Sequence, residues 1–327
     1  RCILPTRYFR NIRICKTFKS MGDFIGMKQM TATVQPRQAA FLILAGMMML
    51  GFTDNLLPYI SSDSSLWQFH FIRSSLVLSA LIVASALGAG ALWPRKPLAV
   101  IGRSLFQAGA LLIYFGCIAI MPIGVVIAGL FTAPLFVLII SVIFQGKSVG
   151  PIRWLAVGIG FLGALLVIRP DPSALDPISF LPIFAGLLYA IGAIATRAWC
   201  EGEHTLTLTA WFFVMLLIFG GIGILVLPGG GALGAEGFPL RGWMPVTGIM
   251  LGWYAVLAVG ALIGIGFVFR GYQVGEASSV AIFEYSLLIF ASFWAWTLWA
   301  ETVPLLGLIG MGLIVGAGVI ITLRSDP

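Results

Sequence analysis

Charge is what this 327-residue chain has least of: Asp, Glu, Lys and Arg together make up 9% of it. A soluble domain carries about 25%, so an ordinary water-facing surface is excluded. There are only two histidines, His70 and His204, and they fall on opposite sides of the membrane predicted below, so they cannot share a metal. The four cysteines offer no CxxC and no His partner at ligand spacing, which argues against a zinc site; Cys117 and Cys200 read as small buried apolar residues. HExxH, the P-loop and a GxGxxG following a strand are all missing. The chain is therefore not expected to be an enzyme or to hold a cofactor, and ATP-driven transport would need another subunit. No segment is long enough for a separate soluble domain.

What the chain has is apolar length. Hydrophobic residues reach 60% and the mean hydropathy is +1.04. Ten apolar runs are separated by short polar breaks, near 39–60, 66–87, 102–120, 123–144, 152–169, 178–197, 206–227, 246–270, 277–299 and 303–323. A bilayer core about 30 Å thick needs about 20 helical residues to cross it. Backbone in lipid must satisfy its own hydrogen bonds, and these runs are too long for barrel strands. The expected fold class is all-α: a polytopic membrane protein with ten transmembrane helices. The 40 glycines lie largely inside the runs, where small residues let helices approach closely.

The net charge of +7 is not a nucleic-acid signal, and no nucleic-acid partner is expected. Six basic residues (Arg1, Arg7, Arg10, Arg13, Lys16, Lys19) sit in the first twenty positions, and from Met21 onward 13 Lys/Arg face 12 Asp/Glu. That first segment begins with Arg and lacks the apolar core of a signal peptide. It reads as a mis-assigned start, with Met21, Met27 or Met30 as the true beginning; an arm that binds anionic headgroups is the alternative.

Orientation follows from the bias of Lys and Arg toward cytoplasmic loops. With a cytoplasmic N-terminus, Lys28, Arg37, Arg95, Lys96, Arg103, Lys147, Arg153, Arg197, Arg270 and Arg324 fall on or near the inner side, and Arg73, Arg169 and Arg241 outside, ten against three. Both termini are then cytoplasmic, and the expected location is the inner (plasma) membrane. Trp93 and Trp154 near inner ends, with Trp67, Trp243 and Trp299 near outer ends, agree with an aromatic belt.

Ten spans divide into two sets of five, and five is odd, so the second set enters the membrane inverted. Span 5 carries Gly158-x-Gly160 and Gly163; span 10 carries Gly310-x-Gly312 and Gly316. Gly312-x-x-x-Gly316 fits a close helix contact, within the chain or in a homodimer. Inverted repeats place a substrate site between two halves that rock.

Five stretches carry a resemblance: FTDN at 52–55, FIRSSL at 71–76, GKSVGPIRWLAVGIGFLGALLVIRP at 146–170, GEASSVAIFEYSLLIFASFWAWTLWAE at 275–301, and the Gly-rich last span. Through them the chain resembles EamA-type transporters of the drug/metabolite transporter superfamily over residues 37–325. The resemblance implies a basic or polar tail at 1–36, a first five-helix repeat at 37–170 and a second at 171–327. It also implies export of a small polar metabolite, such as an amino acid or amine, by alternating access. Lys147 stands at a loop position where relatives often carry Glu, while Glu301 keeps the acid in the second half; the two are candidate cytoplasmic or loop gates.

Several polar residues lie too deep to be loop charges. Glu284 is eight residues beyond Glu276, or about 12 Å into the bilayer. An ionised carboxylate there is costly and usually faces a cavity; a protonated Glu bonded to a neighbouring helix is the structural alternative. Tyr285 adjoins it. Asp54 and Arg73 should lie at similar depth, about 8–11 Å below the outer surface, and could pair across the first hairpin. His70 is one turn from Arg73 on the same face. Asn55 and Gln68 are polar enough to assist. Pro134, mid-span, removes a backbone hydrogen bond and frees a carbonyl. Tyr114, Tyr189, Trp211 and Tyr254 could line an aromatic cavity or simply pack. A membrane-embedded sensor or scaffold, or an intramembrane enzyme, are the rival readings.

Overall fold

An apolar chain in lipid has no hydrogen-bond partner but itself, and every long apolar run folds accordingly. In the computed structural model, which describes residues 35–118, 121, 123–145, 149–170, 177–227 and 237–324, ten helices are long and apolar enough to cross a membrane. The described residues contain no strand. The basic arm and Lys147 lie outside the described residues.

The spans are α1 (Pro36–Asp54, extended by a short turn Pro58–Ser61), α2 (Leu66–Ala86) and α3 (Pro97–Ile118). α4 comes in two pieces, Ile123–Leu130 and Ala133–Ile143, followed by α5 (Pro151–Ile168). The second half has α6 (Phe180–Ala198), α7 (Thr205–Val226) and α8 (Gly248–Val274). α9 is also broken, into Ala277–Val280, a 3-10 segment Ala281–Tyr285, and Ser286–Trp299. α10 (Leu305–Arg324) closes the bundle. α2 and α7 each start under a side-chain cap, Ser65 accepting from the Gln68 N–H and the His204 ring from the Leu206 N–H.

The principal packing partners join one half to the other. α1 packs on α8, and α3 on α6; α1 on α9, and α6 on α4; α2 on α8, and α7 on α3; α2 meets α7, and α5 meets α10. Exchanging each span with the one five places along returns the same set, which is the signature of two inverted five-helix repeats. Antiparallel α5 and α10 touch backbone to backbone. A Cβ on Gly163 would stand 2.6 Å from the Gly310 carbonyl oxygen, and one on Gly310 2.5 Å from that of Gly163. The sequence motif Gly312-x-x-x-Gly316 has no such role inside the chain: both glycines, like Gly158, face open space.

The two broken spans are repeat equivalents, and their breaks match in detail. Phe131 is eight residues past Ile123, and Tyr285 eight past Ala277. One residue further on, the Thr132 hydroxyl donates to the Gly129 carbonyl and the Ser286 hydroxyl to the Phe283 carbonyl, each at 2.6 Å. A hydroxyl bonded back to the preceding turn competes with the helical ladder and bends it. Pro134, in the first turn of the second α4 piece, has no N–H to give the preceding turn. Sequence reading places that proline in an unbroken span; the helix in fact stops before it and restarts.

Candidate functional site

A cavity of about 150 Å³ lies between the halves. Its wall includes Asp54 of α1, Arg73 of α2, Gln107 and Tyr114 of α3, Pro134 of α4, Tyr189 of α6 and Glu284 of α9, with Phe115, Phe131, Phe212 and Phe269 among the apolar remainder. Polar side chains that an apolar sequence scatters over five spans are thus collected at one place by the two-fold packing of the repeats.

Glu284 sits in the 3-10 segment of α9 and is 6% exposed. The Tyr189 hydroxyl donates to its Oε1 at 2.6 Å. Glu284 thus meets α6 from within the interruption of α9, and discontinuous helices at a repeat interface are where transporters place their polar sites. Asp54 opens on the same cavity. Arg73 is close enough for attraction between the two charges, yet they form no ion pair within 4 Å. The expected hairpin pair is therefore corrected: the charges stand apart across a cavity. Arg73 instead lies over the Phe69 ring, 4.4 Å from its centroid, and its Nη2 donates to His70 Nδ1 at 3.3 Å. Since a guanidinium can only donate, the His70 proton sits on Nε2, which is buried and has no partner. His70 packs against Phe69 and Phe115 and orients Arg73 from behind the wall.

Four expected site residues do other work. The Asn55 amide donates to the carbonyls of Gly51 at 2.8 Å and Ala291 at 3.0 Å, tying α1 to α9. Tyr285 is fully buried and bonds to Phe131 across the two breaks. Gln68 exchanges two hydrogen bonds with the Met244 backbone, at 2.7 and 3.1 Å. Glu301 is exposed in the short loop between α9 and α10, at the end of the bundle opposite the α4–α5 loop that holds Lys147. Of the four aromatic candidates, Tyr114 and Tyr189 line the cavity, whereas Tyr254 bonds to Ser64 and Trp211 to the Leu92 carbonyl at 3.2 Å.

Two belts close the ends of the bundle. On one side, the Arg241 guanidinium donates to the carbonyls of Ser61 and Ser62, each at 3.0 Å, and Trp67 donates to that of Pro239 at 2.9 Å. On the other, Thr207 donates to the Ala91 carbonyl at 2.6 Å, the Lys96 N–H to Glu203 at 2.6 Å, and Arg153 pairs with Glu276 at 2.8 Å. Here a polar vestibule of about 680 Å³ is lined by Arg95, Arg197, Glu201, His204 and Arg270. Cys200 lies in its wall, and burial pushes its thiol up to about 11.

Arg103 links Thr196 of the vestibule wall to Phe269 of the cavity wall, contacts that sequence reading misses by counting it only among the inner-side charges. It is fully buried. Its Nε donates to Thr196 Oγ1 at 2.9 Å, its Nη1 to the Leu208 carbonyl at 3.1 Å, and its Cζ lies 3.6 Å from the Phe269 centroid. The signal was present: Arg103 is six residues past Pro97, the first residue of α3, about 9 Å along the helix. One G-x-S-x-G string also occurs, Gly146 to Gly150. It follows a helix rather than a strand, so it lacks the setting of a nucleophile elbow.

A mostly apolar cavity with a few polar groups, lying between inverted helical halves and beside two broken helices, is the arrangement in which carriers place a substrate site. Residues 37–169, the first five spans, match the EamA-like transporter family, and the chain as a whole is similar to proteins named as membrane transporters. It is 25% identical to a riboflavin transporter of Rhizobium johnstonii over 269 residues, 79% of this chain and 83% of that one. A pseudopaline exporter of Pseudomonas aeruginosa is 25% identical over 66% of this chain and 71% of its own. An S-adenosylmethionine uptake transporter of Rickettsia felis is 21% identical over 71% and 74%. A crystal structure covering 89% of this chain and 100% of its own superposes with a TM-score of 0.69 at 17% identity, a likeness of fold alone.

Proposed function

We propose that this chain is a secondary carrier of the cell's inner membrane, with both termini cytoplasmic, that exports a small polar metabolite by alternating access. In this reading the two halves, 37–170 and 171–327, rock about the matched breaks of α4 and α9. Glu284 carries the proposal: a carboxylate beside a helix break, bonded to Tyr189 and facing the cavity, is a group that substrate or a proton can reach. Asp54 and Glu284 set two acids against the one guanidinium of Arg73 in the cavity wall. That balance supports a cargo bearing an amino group, so amino acids and amines come first in a substrate panel. The Lys/Arg asymmetry turns the polar vestibule toward the cytoplasm, where an exporter collects its cargo. The relatives' cargoes, riboflavin, pseudopaline and S-adenosylmethionine by their names, support a small metabolite.

The test is counterflow of a metabolite panel in proteoliposomes for wild type and Glu284→Gln, across pH. The variant is expected to insert and fold but to lose flux at least about tenfold, equivalent to about 1.4 kcal/mol. Wild-type flux in the variant removes Glu284 from the mechanism. Binding without flux of any compound would favour a sensor over a carrier.

A further inference from the structure

Resting on the carrier reading, we infer that the central cavity recognises a planar heterocycle with an amide edge, a ring N–H beside a ring carbonyl, and that Gln107 reads that edge. Gln107 is 1% exposed and lies in the cavity wall. Neither its Oε1 nor its Nε2 has a hydrogen-bond partner. A buried amide that surrenders its water and receives nothing back is costly, and native structures rarely keep one without a reason.

Packing explains why this amide is not free to find a backbone partner. α6 passes α3 at Gly192, where a Cβ would stand 2.2 Å from Gln107 Cγ. The missing side chain admits the glutamine stem, and the close helix holds it. Held in this way, the carboxamide offers one acceptor and one donor side by side. Its complement is another cis amide, whose N–H donates to Oε1 while its carbonyl accepts from Nε2. Paired bonds of this kind are how Gln reads a base edge.

The surroundings fit a flat molecule. Phe115, Phe212 and Phe269 share the wall with Tyr114 and Tyr189, and ring faces pack well on aromatic side chains. A cavity of about 150 Å³ suits one or two fused rings. Asp54 and Arg73 remain for a polar substituent elsewhere on the cargo. A simple amino acid would engage those two charges and leave Gln107 unpaired.

The experiment uses the full-length protein in lipid nanodiscs and three probes. These are 4(3H)-quinazolinone, a two-ring lactam with one amide edge; its N3-methyl derivative, which lacks the N–H; and L-phenylalanine, an aromatic zwitterion. Isothermal titration is expected to show the lactam binding at least about tenfold tighter than its N-methyl form, since a site built to bond a group rejects the analogue lacking it. Gln107→Leu should weaken the lactam about tenfold and erase that ratio, while Gln107→Asn should keep part of it. Equal binding of lactam and N-methyl lactam to wild type overturns the inference, as does an unchanged ratio in Gln107→Leu. If Gln107→Leu does not fold, the wild-type ratio decides. Counterflow of L-phenylalanine with no lactam binding sinks this inference and leaves the carrier reading standing. Lactam binding with the predicted ratio but no flux of any compound does the reverse.

Discussion

The Tyr285 hydroxyl donates to the Phe131 carbonyl at 3.3 Å, and the two rings lie 5.7 Å apart at 28°. These residues occupy the same position in the two repeats, each at the point where its span breaks. A carbonyl released by the interruption of α4 is therefore taken up by the interruption of α9. The pair is a joint between the halves, and it fixes their relation in the state described here. Tyr285→Phe keeps the ring and removes the bond. It is expected to lower stability by about 1 kcal/mol, read as a shift in thermal unfolding in detergent, and to change the rate of flux more than substrate affinity.

Gly163 and Gly310 set the distance between α5 and α10. Because each hypothetical Cβ meets a carbonyl oxygen of the facing helix, at 2.6 and 2.5 Å, neither helix has a flexible side chain that could yield. Gly163→Ala should destabilise the protein by about 1–3 kcal/mol, and Gly163→Leu should prevent a folded monodisperse peak in size exclusion. The same changes at Gly312, which faces open space, should be silent in both measurements.

Arg103 gives up water for two hydrogen bonds and a ring face. Arg103→Leu should leave the Thr196 hydroxyl with only its bond to the Gly192 carbonyl and the Leu208 carbonyl without its guanidinium partner. Hydrogen bonds to charged groups contribute about 1.5–3 kcal/mol each, so a clear loss of thermal stability is expected. Arg103→Lys keeps the charge but not the planar fork and should recover only part. Equal stability of wild type and Arg103→Leu would show that the buried guanidinium does not hold α3 to α6 and α7.

Cys200 reports on the vestibule wall. Burial raises its thiol to about 11, so the neutral form dominates at pH 7 and the reactive thiolate appears only as pH rises. In a variant lacking Cys2, Cys15 and Cys117, maleimide labelling should climb about tenfold per pH unit from pH 7 past pH 9, where a free thiol begins to level off. A plateau near pH 9 would mean an open, solvated thiol.

The number and order of the spans were legible because each needs only length and apolarity, which composition states directly. Glu284 was legible as a candidate because it lies eight residues beyond Glu276, and it is among the residues that line the cavity. What one span does to another was not. Asp54 and Arg73 have matching depth, but whether they touch depends on where α3, α6 and α9 stand between them. Tyr285 read as a site residue because it adjoins Glu284 in sequence, and Asn55 because it is polar; neighbours on a helix point about 100° apart, and both turn to a packed interface instead. Arg103 and Gln107 were hidden because one was counted only among the inner-side charges and the other carries no charge. The break in α4 was signalled by Pro134, that in α9 by no residue with a strong local preference. Only the packing of the repeats reveals it.

Alternating access requires that the belt joining the α1–α2 turn to α8 and its preceding loop must open and close. Ser64 and Tyr254, which hydrogen-bond to each other, bring that belt together at one point. With the native cysteines replaced, Ser64→Cys and Tyr254→Cys can be bridged by a short bis-methanethiosulfonate and released by reductant. Counterflow of a compound that the unbridged protein carries should fall to background on bridging and return on reduction. Undiminished flux through the bridged protein would contradict the rocking of two inverted halves.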